Sequence, residues 1–140
     1  MNVQDQKLVE WDDVIDKIDY EVRHGMCKIL NGTYVLHSDY MPNTIQQAYH
    51  NIGWKTMHMY VSFHAGAETF GKHKDDMDVL IAQAIGRVKY ESDGNEYLLY
   101  PGYTLEIPKG IYHTPTVLTP RVTLSFSDKP ESLEAYETPK

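Results

Sequence analysis

Apolar residues recur at helical spacing over residues 11–22, where Trp11, Val14, Ile15, Ile18 and Val22 alternate with acidic and other polar positions. This spacing predicts an amphipathic helix with one buried stripe. Residues 26–30 (MCKIL) and 33–37 (TYVLH) are short strand-like runs. Asn31-Gly32 between them is a hairpin signal, because both central positions of such a turn need positive φ. Residues 42–53 predict a second short helix, with Ile45, Ala48, Tyr49 and Ile52 as its stripe and Gly53 as its end.

Beyond Gly53 the period becomes that of strands. In residues 57–63 (MHMYVSF), Met57 and Met59 alternate with His58. The methionines are therefore expected on one sheet face, and His58 on the other as a hydrogen-bonded core or pocket histidine. Residues 79–85 (VLIAQAI) are nearly all apolar and read as a buried strand. Residues 87–92 and 96–100 flank Asp93-Gly94, a second hairpin turn, and residues 103–108 follow a Pro-Gly turn. Residues 121–127 (RVTLSFS) alternate polar and apolar. Many short strands with Gly and Pro turns predict an all-β sandwich or barrel. The expected organisation is a single domain. Residues 1–56 would form a helix, hairpin and short helix packed on a core of residues 57–127, and the polar residues 128–140 a loose tail.

A chain of 140 residues suits one domain with a real core. Its single cysteine, Cys27, excludes an internal disulfide and a cysteine-based zinc cage. Cys27 reads as a small apolar filler, and the cysteine usage suits a reducing, cytoplasmic setting. The first residues lack the basic start and apolar run of a secretory signal, and no apolar run is long enough to span a bilayer. A soluble protein without membrane contact is expected. The net charge is −7 and the Lys and Arg residues are scattered. Such a surface weighs against an extended nucleic acid as partner. A small molecule, a nucleotide and a protein side chain all stay open as substrate.

Candidate chemistry lies in residues 70–79 and 102–113. His73 and Asp75 are two positions apart, so on a strand they share a face. Alone, this pair reads more readily as a solvated loop. In the second segment Pro108 and Gly110 make a turn that delivers His113 to the start of a new strand. Two imidazoles and one carboxylate form the facial triad of non-haem iron(II) sites, with open positions on the metal. A second register, His73, Asp78 and His113, supplies the same donor types. Asp76 reads as solvated and His64 as a loop residue. His24, His37 and His50 have no partner at ligand spacing.

Gly102-x5-Pro108-x-Gly110-x2-His113 resembles the second motif of the cupin superfamily, with Val117 where Asn is usual. The first cupin motif has two histidines and a glutamate. Here Asp75 stands at the second histidine and Val79 or Leu80 at the glutamate, so the four-ligand site is absent. The stretch FGKHKDDMDVLIAQAIGR resembles the JmjC-like 2-oxoglutarate oxygenases, especially the ribosomal-oxygenase branch, at Asp78-Val79, Gln83, Gly86 and Arg87. YPGYTLEIPKGIYH and VTLSFS resemble its second half, so the likeness runs from about residue 57 to 127.

The resemblance implies a double-stranded β-helix, the cupin jelly roll, preceded by a short helical segment. It implies Fe(II) on His73, Asp75 and His113, with 2-oxoglutarate as cosubstrate of a dioxygenase that hydroxylates a C–H bond. The family's basic anchor for the far carboxylate of 2-oxoglutarate falls on Val88. Lys89 and Arg87 flank that position, but alternation points both to the other face unless a bulge re-aims one. Arg121 is the other candidate, since related oxygenases place their anchor on that last strand. It also reads as a solvated strand-end charge. Tyr60 and Thr69 are candidates for hydroxyl contacts to the cosubstrate, or structural residues. Val88 keeps two further classes open: a metal-dependent cupin isomerase or 2-oxoglutarate-independent dioxygenase, and a non-catalytic jelly-roll binding module. Pairing of sheet edges into a homodimer is also compatible with the fold.

Overall fold

A computed structural model describes residues 9–30, 32–69 and 71–128, with the side chains of 48–52 outside that set. The elements are α1 (Trp11–Arg23), β1 (Lys28–Leu30), β2 (Thr33–His37), α2 (Asn43–Ile52), β3 (Thr56–Ser62), β4 (Val79–Ile85), β5 (Val88–Ser92), β6 (Asn95–Leu99), β7 (Thr104–Ile107), β8 (His113–Val117) and β9 (Arg121–Ser127). A 3₁₀ turn, Ser38–Tyr40, joins β2 to α2. Six strands form one sheet in the order β1-β2-β3-β9-β4-β7, and three form another in the order β6-β5-β8. Every pairing between these strands is antiparallel. This is the all-β jelly roll expected, with its helices at the N-terminal end.

Strand alternation sorts the larger sheet into two faces. Met57, Met59 and Val61 of β3 and Val122, Leu124 and Phe126 of β9 join Leu36, Val14, Ile18 and Ile45 in one buried cluster. The helices therefore cover the outer face, with α1 supplying Val14 and Ile18. The stripe of α1 is narrower than its sequence predicts: Ile15 and Val22 are exposed, and Glu21 is buried instead. Glu21 follows Val14 and Ile18 along the same face, and Lys17 Nζ meets its carboxylate at 2.8 Å. Of the predicted stripe of α2, Ile45 is buried, while Ala48, Tyr49 and Ile52 fall among the undescribed side chains. Burial pushes the Cys27 thiol up to about 11, in keeping with a packing role.

The opposite positions of the larger sheet face the smaller one. On β4 and β7 they are Val79, Ile81 and Ile107, which pack with Val88, Tyr90 and Leu99. On β2, β3 and β9 they are mostly polar, including His37, His58, Tyr60, Ser62, Arg121 and Thr123. The interior is thus apolar on one side and polar on the other. The β5–β6 hairpin turns through Asp93 (φ 51) and Gly94 (φ 79), as Asp-Gly predicts. At the β4–β5 corner Gly86 has φ +76, and a Cβ there would lie 1.9 Å from the Pro120 carbonyl oxygen. Only glycine lets the β8–β9 connection approach this corner.

Asn31 of the first predicted turn, Phe70, and the tail beyond Asp128 lie outside the described residues. Among the described residues no helix is long and apolar enough to cross a membrane.

Candidate metal centre

His113 opens β8 opposite Ser92 of β5. His73 lies outside the named strands, yet it forms an isolated antiparallel bridge with His113. The expectation of a regular strand carrying both His73 and Asp75 is corrected here: only His73 is paired, and Asp75 lies in the following loop. Asp75 is held differently, by its carbonyl accepting from the Gly110 N–H at 2.8 Å. The turn that delivers His113 therefore also fixes the backbone of Asp75.

The three side chains converge. His113 Nε2 lies 3.3 Å from Asp75 Oδ2, and His73 Nε2 lies 3.8 Å from Asp75 Oδ1. The two imidazoles meet edge to face with centroids 4.4 Å apart. One donor atom from each residue falls within 4.8 Å of the others. His73 Nδ1 is 2.9 Å from the Gly71 carbonyl and His113 Nδ1 is 3.1 Å from the Ile111 carbonyl. A carbonyl only accepts, so each Nδ1 carries a proton, and in the neutral imidazole it is then Nε2 that has the lone pair. That tautomer, oriented from behind by a carbonyl, is the form a metal ligand needs. Burial, and then His73, lower the pKa of His113, opposed by the Ile111 hydrogen bond and Asp75. His113 is buried, whereas His73 and Asp75 are partly exposed, so the site opens to solvent on their side. The donor set fits a divalent cation with open positions. Asp78 stands apart: it is exposed, and its Oδ1 accepts from the Lys109 N–H at 2.9 Å in the β7–β8 turn. The second register is not assembled.

Arg121 occupies the other end of the barrel interior. It is 2 % exposed, which overturns its reading as a solvated strand-end charge. Its Nε donates to Ser62 Oγ at 2.9 Å and its Nη1 to Thr123 Oγ1 at 3.0 Å. Thr123 in turn donates to Gln83 Oε1 at 2.7 Å. The guanidinium lies 5.8 Å from the ring centroid of Tyr60, within cation–π range. Burial lowers the Arg121 pKa, opposed by Tyr90 and Tyr60. Burial likewise raises Tyr90 to about 12, with Arg121 opposing and Asp75 adding to the shift. Tyr90 therefore senses both ends of the interior. Among the described residues no carboxylate pairs with Arg121, and its Nη2 donates to none of them.

The other cosubstrate candidates divide. Tyr60 is brought to Arg121. Thr69 Oγ1 accepts from the Gly71 N–H at 3.2 Å, a local turn bond. Lys89 is not re-aimed: it stays on the outer face, near Glu91 and Glu96 at 3.8 and 3.7 Å. Val88 is fully buried in the apolar cluster. Sequence reasoning found no role for His37, which the fold sets directly opposite His58. Burial lowers His58 to about 4 and His37 to about 2. Ser62, Gln83 and Thr123 were not singled out as partners of Arg121 either. The polar alternation of β9 was the available signal.

No family model and no curated protein matches this chain. Solved structures do. KdgF from Halomonas sp. is 17 % identical over 74 % of this chain and 84 % of its own, with a TM-score of 0.55. YcfD, a ribosomal oxygenase from Escherichia coli, is 18 % identical over 73 % of this chain, with a TM-score of 0.57. A further YcfD structure, in complex with cobalt and succinic acid, gives a TM-score of 0.59 at 18 % identity over 73 % of this chain and 32 % of that one. The chain spans about a third of the length of these oxygenase chains. These neighbours are cupin-fold proteins, and the likeness shows that this chain has the cupin jelly-roll fold.

Proposed function

We propose that this protein is an Fe(II)- and 2-oxoglutarate-dependent oxygenase, with His73, Asp75 and His113 holding the metal and Arg121 anchoring the far carboxylate of 2-oxoglutarate. Bound together, iron(II) and 2-oxoglutarate supply hydroxylation of a C–H bond by dioxygen, with release of succinate and carbon dioxide.

The observation that carries this reading is the buried guanidinium of Arg121, which shares a barrel interior with the His-Asp-His set and has no carboxylate partner among the described residues. An uncompensated buried charge costs several kcal/mol, so the site is built for an anion. Arg121 can grip a carboxylate with parallel hydrogen bonds, while Ser62 and Thr123 hold the guanidinium in place. Tyr60 closes over its face. The carbonyls of Gly71 and Ile111 keep both imidazoles in the ligating tautomer. The cobalt and succinic acid held by the ribosomal oxygenase neighbour agree with a metal beside a dicarboxylate.

The test is calorimetric titration of 2-oxoglutarate into the Mn(II)-loaded protein under argon. Micromolar binding is expected, weakened about 100-fold in Arg121→Met, the scale of a charge-assisted bidentate pair. Undiminished binding in that variant overturns the role of Arg121. Metal uptake with no binding of 2-oxoglutarate at millimolar concentration selects the other reading that Val88 favours, a cupin isomerase or dioxygenase without this cosubstrate.

A further inference from the structure

Four polar residues form one row across the strands. Asn95 of β6 is paired with Ser92 of β5, and Ser92 with His113 of β8. His113 is bridged in turn to His73. Residues paired across neighbouring strands present their side chains to the same face. Adjacent strands are about 4.8 Å apart, so Ser92 lies about 5 Å and Asn95 about 10 Å sideways from His113. A cavity of about 460 Å³ follows the row, lined by Asn95, Ser92 and His113 together with Lys72, Asp93 and Tyr112. Ser92 is 7 % exposed. Among the described residues its hydroxyl has no hydrogen-bond partner, and no polar atom sealed from solvent is left without one. The Ser92 hydroxyl oxygen is therefore not sealed, and the cavity that Ser92 lines is the space it opens on. The Asn95 carboxamide is exposed and likewise unpaired among the described residues.

We propose, on the reading that His113 holds the metal, that Ser92 and Asn95 form a substrate subsite beside it, and that the group they receive is an uncharged amide. A hydroxyl and a carboxamide each donate and accept, and an amide does both in return. A charge pressed against Ser92 would lose its water with only a neutral hydroxyl in exchange. A carboxylate would also face Glu91, Asp93 and Glu96 around the cavity, with Lys72 as the one cation lining it. A purely apolar group would leave the buried hydroxyl unpaired. Because the row stands one and two strand spacings from His113, a substrate gripped here brings a neighbouring carbon, not the amide itself, to the metal.

The probe is acetamide, added under argon to the Mn(II)-loaded protein, with acetone as the control that lacks N–H donors. The readout is paramagnetic relaxation of the methyl protons by Mn(II), which reports closeness to the metal. Relaxation of acetamide is expected to exceed that of acetone. It should fall about tenfold in Ser92→Ala, the scale of one lost hydrogen bond to a buried group, and recover in part in Ser92→Thr. Asn95→Leu should lower it about threefold, since that partner is exposed. N-methylacetamide separates the two sources of an amide: relaxation equal to that of acetamide assigns a peptide bond, and weaker relaxation a side-chain carboxamide. In a Cys27→Ala background, Ser92→Cys should be labelled by methyl methanethiosulfonate while the protein stays folded. Undiminished relaxation in Ser92→Ala, no excess over acetone in the wild type, or a Ser92→Cys thiol that stays unlabelled overturns the proposal. Calorimetric Mn(II) titration tests the underlying reading separately. Absence of Mn(II) uptake removes the metal site as well, whereas normal uptake with no acetamide effect removes the subsite alone.

Discussion

His73 and His113 exchange both of their backbone hydrogen bonds, at 3.0 and 2.8 Å, although one lies in a loop and the other opens β8. This reciprocal pair starts the two imidazoles from adjacent points on the backbone. Asp75 is then tied to the same turn by its bond from Gly110. Main-chain bonds therefore set where all three donors begin, and side-chain rotation has only to bring them together.

Asp75→Ala is expected to weaken Mn(II) binding by at least about 100-fold, beyond the loss seen for residues that only support a ligand. Asp78→Ala should leave the affinity within a few-fold. It should lower stability by about 1 kcal/mol, because the Lys109 N–H loses its acceptor. Calorimetric metal titration and urea unfolding of both variants read the two effects. The reverse pattern would place Asp78 in the site.

Two glycines with similar φ should respond differently to alanine. Gly86→Ala drives a Cβ into the Pro120 carbonyl, so backbone strain and overpacking together should cost about 3 kcal/mol or more. Gly102→Ala, at φ +91, meets nothing within 4 Å and should cost about 1 kcal/mol from strain alone. Denaturant midpoints of the two variants decide it; equal losses would mean that the β4–β5 corner yields to the added methyl group.

Stability should fall on acidification through the histidine range. His58 and His37 have folded-state pKa values near 4 and 2, below the unfolded value of 6.5. The unfolded chain therefore binds more protons, and folding stability declines as pH drops below 6.5. For His58 the decline runs to about pH 4 and is on the order of 3 kcal/mol. For His37 it continues to lower pH. His58→Gln should flatten the slope of unfolding free energy between pH 7 and 5, measured in urea. An unchanged slope would assign the effect to other groups.

Much of the fold was legible along the chain. The switch from helical to alternating period after Gly53 and the Asp93-Gly94 turn located elements close to where they are observed, because both signals are local backbone chemistry. The buried stripe of α1 was legible only in part. Which of Val22 and Glu21 is covered depends on the angle at which the helix docks, and a salt bridge to Lys17 makes the acid tolerable inside. The triad was legible from donor types and the turn before His113, but the pairing of His73 outside any strand was not, since it needs the β8 backbone alongside.

The sequence by itself determined the periods, the turns and the three candidate donors. Alternation on β9 also separated Arg121 and Thr123 from Val122 and Leu124. Only the tertiary structure decided that both faces of β9 are covered, one by the helices and one by the opposing sheet. Alternation is a steric property of the strand itself, whereas burial of a face depends on distant elements packing against it. That packing buried Arg121 and set His37 opposite His58 on neighbouring strands.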